Sequence, residues 1–319
     1  MTLGTSGPTN DNGHVIFMWL TGVATGLLVA IWASRHALDA AVKLGAHLGL
    51  SSFVIGVTVV AVGTDLPEIA NSIIASARGH GDLNVGNSIG SVVTQATVVL
   101  GALCFVGRLE STRRFVVTVG VMTILALLTG ALLFSDGRFS RADGALLLAF
   151  WVGGTFIIQR PTPREDIGAV EAGRTRRLVG QALLFLALVG VGATVAVESF
   201  TRVAEDLGAP EYLLSFFVLA AGTSLPELVI DFRALRQGSG DLAMGDLLGS
   251  SFVDATLSPG IGPILFPTAL SAGVWRGSLI AAVVVTAVTL LLIRSPSPTR
   301  WTGAALIGLY LVLYPALLA

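Results

Sequence analysis

The chain has 319 residues, 53% hydrophobic and only 12% charged, with a formal net charge of −1. Its mean hydropathy is +0.82, and a soluble domain carries about twice this charged fraction. No basic tract points to nucleic acid, and the single cysteine, Cys104, excludes an internal disulfide and a cysteine metal cluster.

The first apolar run, "VIFMWLTGVATGLLVAIWA" at 15–33, is uncharged and matches the roughly 20 residues a helix needs to cross a bilayer. Its first positive charge, Arg35, follows it, the reverse of a signal peptide. It reads as a retained helix after a short polar tail. Further apolar segments fall at 52–77, 83–106, 115–134, 143–158, 178–198, 211–235, 241–266, 274–293 and 301–318. Turn signals such as "ARGHGD", "GRLESTRR", "SDGRFSRAD", "RQGSGD" and "RSPSPTR" separate them. The expectation is an all-α polytopic membrane protein of ten transmembrane helices, since helices satisfy their own backbone polar groups in lipid. The polar stretch 159–177 reads as a cytoplasmic linker between five-helix halves at 1–158 and 178–319. With the N-terminus outside, only Arg78, Arg138, Arg141, Arg202 and Arg276 face outward, and the other fourteen of nineteen Lys and Arg lie inside. This is the positive-inside pattern, and it puts both termini outside the cytoplasm, with the cell membrane as the location.

The two halves repeat at a constant offset of 159. Gly63 meets Gly222, Pro67 meets Pro226, Glu68 meets Glu227, Gly86 meets Gly245 and Ser91 meets Ser250. Over Gly63–Gly101 against Gly222–Gly260 there are 16 identities in 39 ungapped pairs. Five spans per half is an odd number, so the second copy enters the membrane upside down, the architecture of many secondary transporters. The repeated motifs span 56–101 and 215–260.

Each motif places acidic residues in mid-span: Asp65 and Glu68 in "GTDLPE", Glu227 in "GTSLPE". An ionised side chain near the bilayer centre costs at least a few kcal/mol, so it reaches water at a helix end, stays neutral in the protein interior, or binds a cation in a shared polar cavity. The last reading fits the chemistry. Gly loosens the helix and Pro removes a backbone donor, which frees carbonyl oxygens. Carboxylates, hydroxyls and carbonyls together suit hard cations such as Ca²⁺ and Na⁺. The next spans add Asn87, Ser91 and Gln95, and Asp246, Ser250, Ser251 and Asp254. Ser91 and Gln95 share a helix face, as do Ser250 and Asp254. Asp246 and Asn87 stand near helix starts, where Asp246 also suits the positive end of the helix dipole. Asp231 reads as lining an access path or reaching water, and Arg78 and His80 as ordinary loop residues. Glycines 86, 90, 245 and 249 read as close-packing positions.

On these motifs, "GTDLPE…GNSIGSV" and "GTSLPE…GDLLGSS", the chain resembles the calcium/cation antiporter superfamily, specifically its prokaryotic sodium/calcium exchanger branch. The resemblance extends over nearly the whole chain, including "LGLSSFVIGVTVVAVGT" and "GRFSRADGALLLAFWVGG". It implies a central site between helices 2, 3, 7 and 8, where Glu68 and Glu227 bind Ca²⁺ in competition with Na⁺. Thr64, Ser91, Thr223, Ser224, Ser250 and Asp254 match positions that line the family's ion sites. Asp65 stands where the family usually has Ser, and Gln95 where Asn or Asp is usual. Val92, Ser251 and Asp246 replace family Asn residues. These departures bear on ion selectivity and on the coupling ion.

The implied function is Ca²⁺/Na⁺ antiport by alternating access, with helices 1 and 6 sliding across a fixed core and with no cofactor. A H⁺-coupled antiporter for Ca²⁺ or another divalent cation such as Mn²⁺ is the alternative, favoured by Asp65. A passive channel lacks dependence on a counter-ion. An intramembrane aspartyl protease built on "AMGD" at 243–246 lacks the usual Tyr-Asp partner. Expected partners are Ca²⁺, a monovalent counter-ion and the bilayer. Oligomeric state is left open.

Overall fold

A computed structural model describes residues 11–47, 61–109, 111–158, 172–208, 210–236, 238, 240–295 and 298–318. The chain is mostly helical. Helix α1 (Asp11–His47) outruns its apolar segment by several turns. The short α2 (Ala61–Thr64) and α3 (Leu66–Ala77) follow, then α4 (Gly81–Thr94), which passes through a π turn at Gln95–Val99 into α5 (Leu100–Leu103). Helices α6 (Arg113–Leu133) and α7 (Arg141–Ile158) complete the first half. The second contains α8 (Ala172–Leu207), then α9 (Glu211–Leu214), which enters α10 (Ala220–Thr223) through a π turn at Ser215–Leu219. It continues with α11 (Leu225–Arg236), α12 (Gly240–Asp254), α13 (Leu257–Leu265), α14 (Trp275–Arg294) and α15 (Arg300–Leu318).

Among the described residues, seven spans are long and apolar enough to cross a membrane. The other three expected spans fall short for separate reasons. Residues 48–60, including most of "LGLSSFVIGVTVVAVGT" and the first five positions of the 56–101 motif, lie outside the described residues. The 241–266 segment is interrupted between α12 and α13, where Thr256 adopts φ −135° and ψ −77°. The last is α15, of 19 residues, whose burial is described only over Arg300–Leu313. The stretch expected to be a linker is partly helical, because α8 begins at Ala172; 159–171 lie outside the described residues.

The all-α expectation misses one short ribbon. β1 (Arg138–Phe139) pairs antiparallel with β2 (Thr268–Ala269), in the register Arg138↔Ala269 and Phe139↔Thr268. Gly137, at φ 75°, ends the helical turn before β1, a left-handed conformation that glycine adopts without a Cβ penalty. Its carbonyl accepts from Leu270 N at 2.8 Å.

Burial sorts the helices into a centre and a rim. The Gly81–Leu103 segment is 89% buried, whereas the spans in α1, α7 and α8 are 22% buried. Phe17, Leu183 and Val191 are exposed on α1 and α8, apolar surface that suits lipid rather than water. These two rim helices make the most extensive helix–helix contact among the described residues. A Cβ on Gly26 would stand 2.7 Å from Gly192 O, and one on Gly192 would stand 2.7 Å from Gly26 O. Glycine at both positions therefore lets the two backbones touch. The expected close-packing role holds for Gly86 and Gly90, whose added Cβ would strike Ser215 and Phe216. It fails at Gly245, which has nothing within 4 Å.

Candidate cation site

The helix elements around the site recur with the 159-residue offset seen in the sequence: Ala61–Thr64 matches Ala220–Thr223, and Leu66–Ala77 matches Leu225–Arg236. Between each pair the helix breaks at one residue. Asp65 has φ −79° and ψ 8°, and its counterpart Ser224 has φ −80° and ψ 7°. The cause is the Leu-Pro that follows. Proline is well placed at the start of α3 and α11, but it has no N–H for the carbonyl four residues back. The carbonyls of Gly63 and Gly222 are thereby left without a helical donor beside each break.

The central span bends at the same level. Gln95 opens the π turn, and its counterpart Asp254 ends α12. Such one-turn irregularities commonly mark functional sites. The two side chains meet: Gln95 Nε2 donates to Asp254 Oδ2 at 2.9 Å. Ser251 Oγ donates to Gln95 Oε1 at 2.8 Å, which fixes the amide with its nitrogen toward the carboxylate.

Around this contact the remaining hydroxyls pair reciprocally across the halves. Thr64 Oγ1 lies 3.1 Å from Ser250 Oγ, and their counterparts Thr223 Oγ1 and Ser91 Oγ lie 3.4 Å apart. Ser91 also donates to Glu68 Oε1 at 3.4 Å. Asp65, Glu68 and Glu227 each offer a carboxylate oxygen within 4.8 Å of the other two. All ten residues expected to bind ions (Thr64, Asp65, Glu68, Ser91, Gln95, Thr223, Ser224, Glu227, Ser250 and Asp254) are at most 1% exposed. The helix-end reading of the glutamates therefore fails, because neither reaches solvent.

The electrostatics are unbalanced. No donor reaches either oxygen of Asp65 or Glu227, Oε2 of Glu68 or Oδ1 of Asp254. Among the described residues no Lys, Arg or His forms an ion pair with any of these four. Buried carboxylates are normally paired or coordinate a metal. This set holds only oxygen ligands at its centre, which is chemistry for a hard cation.

Other residues differ from their sequence reading. Asn87 is a site neighbour, with Oδ1 3.1 Å from Thr223 Oγ1, and Ser251 orients Gln95. Asp246 lies past the first turn of α12 and is 2% exposed. It is too deep to act through the helix dipole, which fades within one turn. Asp231 does not reach water, being 0% exposed. Arg78 and His80 are more than loop residues: Arg78 pairs with Glu198 of α8, and His80 Nδ1 lies 3.0 Å from Glu211 Oε1. Cys104 is buried, in the turn after α5.

Comparison with known proteins gives a consistent picture. The model of the "Sodium/calcium exchanger protein" family matches twice, at residues 18–158 and 177–317. The Escherichia coli inner membrane protein YrbG is 28% identical over 307 residues, covering 90% of this chain and 93% of that protein. The sodium/calcium exchanger MaX1 of Methanosarcina acetivorans is 25% identical, covering 89% and 94%. The putative antiporter CaxA of Alkalimonas amylolytica is 29% identical, covering 78% and 82%. Solved structures of the sodium-calcium exchanger NCX_Mj share the fold, one with a TM-score of 0.65, 23% identity and coverage of 93% and 98%.

The family match and the antiporter and exchanger relatives, together with the acidic centre between broken helices, make this a cation antiporter rather than an enzyme, and the protease reading is set aside. The chain belongs to the sodium/calcium exchanger protein family.

Proposed function

We propose that this protein exchanges Ca²⁺ for Na⁺ across a cell membrane by alternating access. The observation that carries the proposal is the sealed trio of Asp65, Glu68 and Glu227, with five of its six carboxylate oxygens lacking a donor. Ca²⁺ and several Na⁺ are competing ways to compensate the same charge, and competition for one set of oxygens is the simplest exchange device. Thr64, Ser91, Gln95, Thr223, Ser224, Ser250 and Asp254 complete the proposed ligand set.

The architecture proposed is ten spans in two inverted repeats, 1–158 and 178–319, joined through 159–177 on the cytoplasmic side, with both termini outside. The twofold family match and the reciprocal Thr64–Ser250 and Thr223–Ser91 contacts support it. When residue i meets j′ and i′ meets j, a two-fold axis relates the copies. Helices α1 and α8 are proposed to slide as a unit over the buried centre, and inversion makes the two end states near-equal in energy.

H⁺-coupled exchange of Ca²⁺ or Mn²⁺ is a second reading. It is favoured by Asp65, a third carboxylate where the other motif has Ser224. The deciding experiment is ⁴⁵Ca²⁺ uptake by proteoliposomes under an outward Na⁺ gradient or a pH gradient. Na⁺-driven uptake, lost in Glu68→Gln and Glu227→Gln, is the expected result. Uptake driven by pH alone would overturn Na⁺ coupling, and uptake without any counter-ion would mean a channel.

A further inference from the structure

A second buried acidic pair lies beside the central trio. Asp231 of α11 and Asp246 of α12 are 0% and 2% exposed, and they are electrostatic neighbours. Apart from the contact of the two carboxyl groups with each other, none of their four oxygens has a hydrogen-bond partner, and among the described residues neither forms an ion pair with Lys, Arg or His. Glu227, one turn before Asp231, also faces Asp246 electrostatically, and both its oxygens are unpartnered. The pair is thus continuous with the trio.

The internal repeat supplies a control. Subtracting 159 from 231 and 246 gives Ser72 and Asn87 in the first half. Those two are neutral and bonded. Ser72 Oγ donates to Pro259 O at 3.3 Å and accepts from Gly262 N at 3.2 Å, and Asn87 Oδ1 meets Thr223. The same position thus holds neutral side chains whose oxygens, Ser72 Oγ and Asn87 Oδ1, have protein partners in one half, and two acidic side chains with no partner but each other in the other. A buried unpaired charge is retained only where something compensates it.

We propose that Asp231 and Asp246, with Glu227 at their edge, form a second binding position for a hard divalent cation. It lies on one side of the central site only, so the two access routes differ in affinity. The proposal rests on the central trio binding cations. Under the proposed topology this position is on the cytoplasmic side.

The test is Mn²⁺ binding to the full-length protein in nanodiscs, counted by electron paramagnetic resonance. Wild type is expected to bind two Mn²⁺ per chain. Asp65→Asn/Glu68→Gln, which spares Glu227, is expected to keep one, and adding Asp231→Ser/Asp246→Asn is expected to weaken that remaining ion at least tenfold. These replacements install the residues that the fold already carries at the equivalent positions of the first half. Asp231→Ser/Asp246→Asn alone is expected to leave one ion. One Mn²⁺ in wild type, lost in Asp65→Asn/Glu68→Gln, would overturn the second position and leave the central site standing. Residual binding indifferent to Asp231→Ser/Asp246→Asn, as when the pair merely shares a proton, would overturn it too. No binding in wild type would overturn both.

Discussion

Glu227 is 0% exposed and neither of its oxygens has a donor. Among the described residues no Lys, Arg or His pairs with it, and on the proposed function a bound cation is what offsets its burial. Glu227→Gln replaces a charged ligand by a neutral one of the same shape. Interactions with a charged group are worth roughly 1.5–3 kcal/mol, so Ca²⁺ affinity should fall by about 10- to 150-fold, measurable by calorimetric titration. Asp65→Ser makes the first motif read like the second. It should reduce pH-driven flux relative to Na⁺-driven flux, and an unchanged ratio of the two would remove Asp65 from the coupling mechanism. Much at this scale was legible beforehand. A carboxylate in mid-span has few options, and the burial of Glu68 and Glu227 away from solvent agrees with their position in the sequence. Asp231 and Asp246 were harder. Their meaning depends on depth, and depth depends on where α12 begins and which way each turn faces. Asn87 and Ser251 were named as oxygen donors, but their partners were not legible: they lie 136 and 156 residues away, a distance no local spacing encodes.

At the scale of the helix, the breaks at Asp65 and Ser224 carry the design. Each is forced by a proline that cannot close the preceding turn. Pro67→Ala should restore the donor, draw the Gly63 carbonyl back into the helix and weaken Ca²⁺ binding several-fold. Thermal stability should hold or rise, because alanine is the better helix former. A loss of stability with binding unchanged would show the break to be merely structural. The glycine contact between α1 and α8 makes a different demand. Gly192→Leu forces the backbones apart and should destabilise by roughly 1–3 kcal/mol, as overpacking does; a melting curve in detergent checks it. The breaks were readable from "GTDLPE" and "GTSLPE" because proline acts locally. The short β1–β2 ribbon was not, since its strands are two residues each and lie far apart in the chain.

The whole molecule is organised by duplication. A repeat at fixed offset in the sequence reappears as matching helix limits and as cross-half contacts between counterpart residues, down to Gln95 on Asp254. The proposed inversion is testable by cysteine labelling in a Cys104→Ala background. Ser135→Cys, exposed after α6, should react with a membrane-impermeant maleimide in intact cells. Ser295→Cys, exposed after α14, should react only after permeabilisation. Labelling of both from the same side would break the ten-span topology. Ligand binding should also register globally: Ca²⁺ at about 100 times its Kd adds roughly 2.7 kcal/mol to stability, and chelation should remove it.

The small ribbon has a larger consequence than its size suggests. It ties the connection after α6 to the connection after α13, and Asp82 at the head of α4 joins the same knot by accepting from Ser271 N at 2.8 Å. Three separate helix ends are thus laced into one collar on that rim. A collar cannot gape on its laced flank without unpicking backbone hydrogen bonds. The turn after α3 is held from two directions: Gly81 packs against Ala269 of the ribbon, and Arg78 clasps Glu198 of α8.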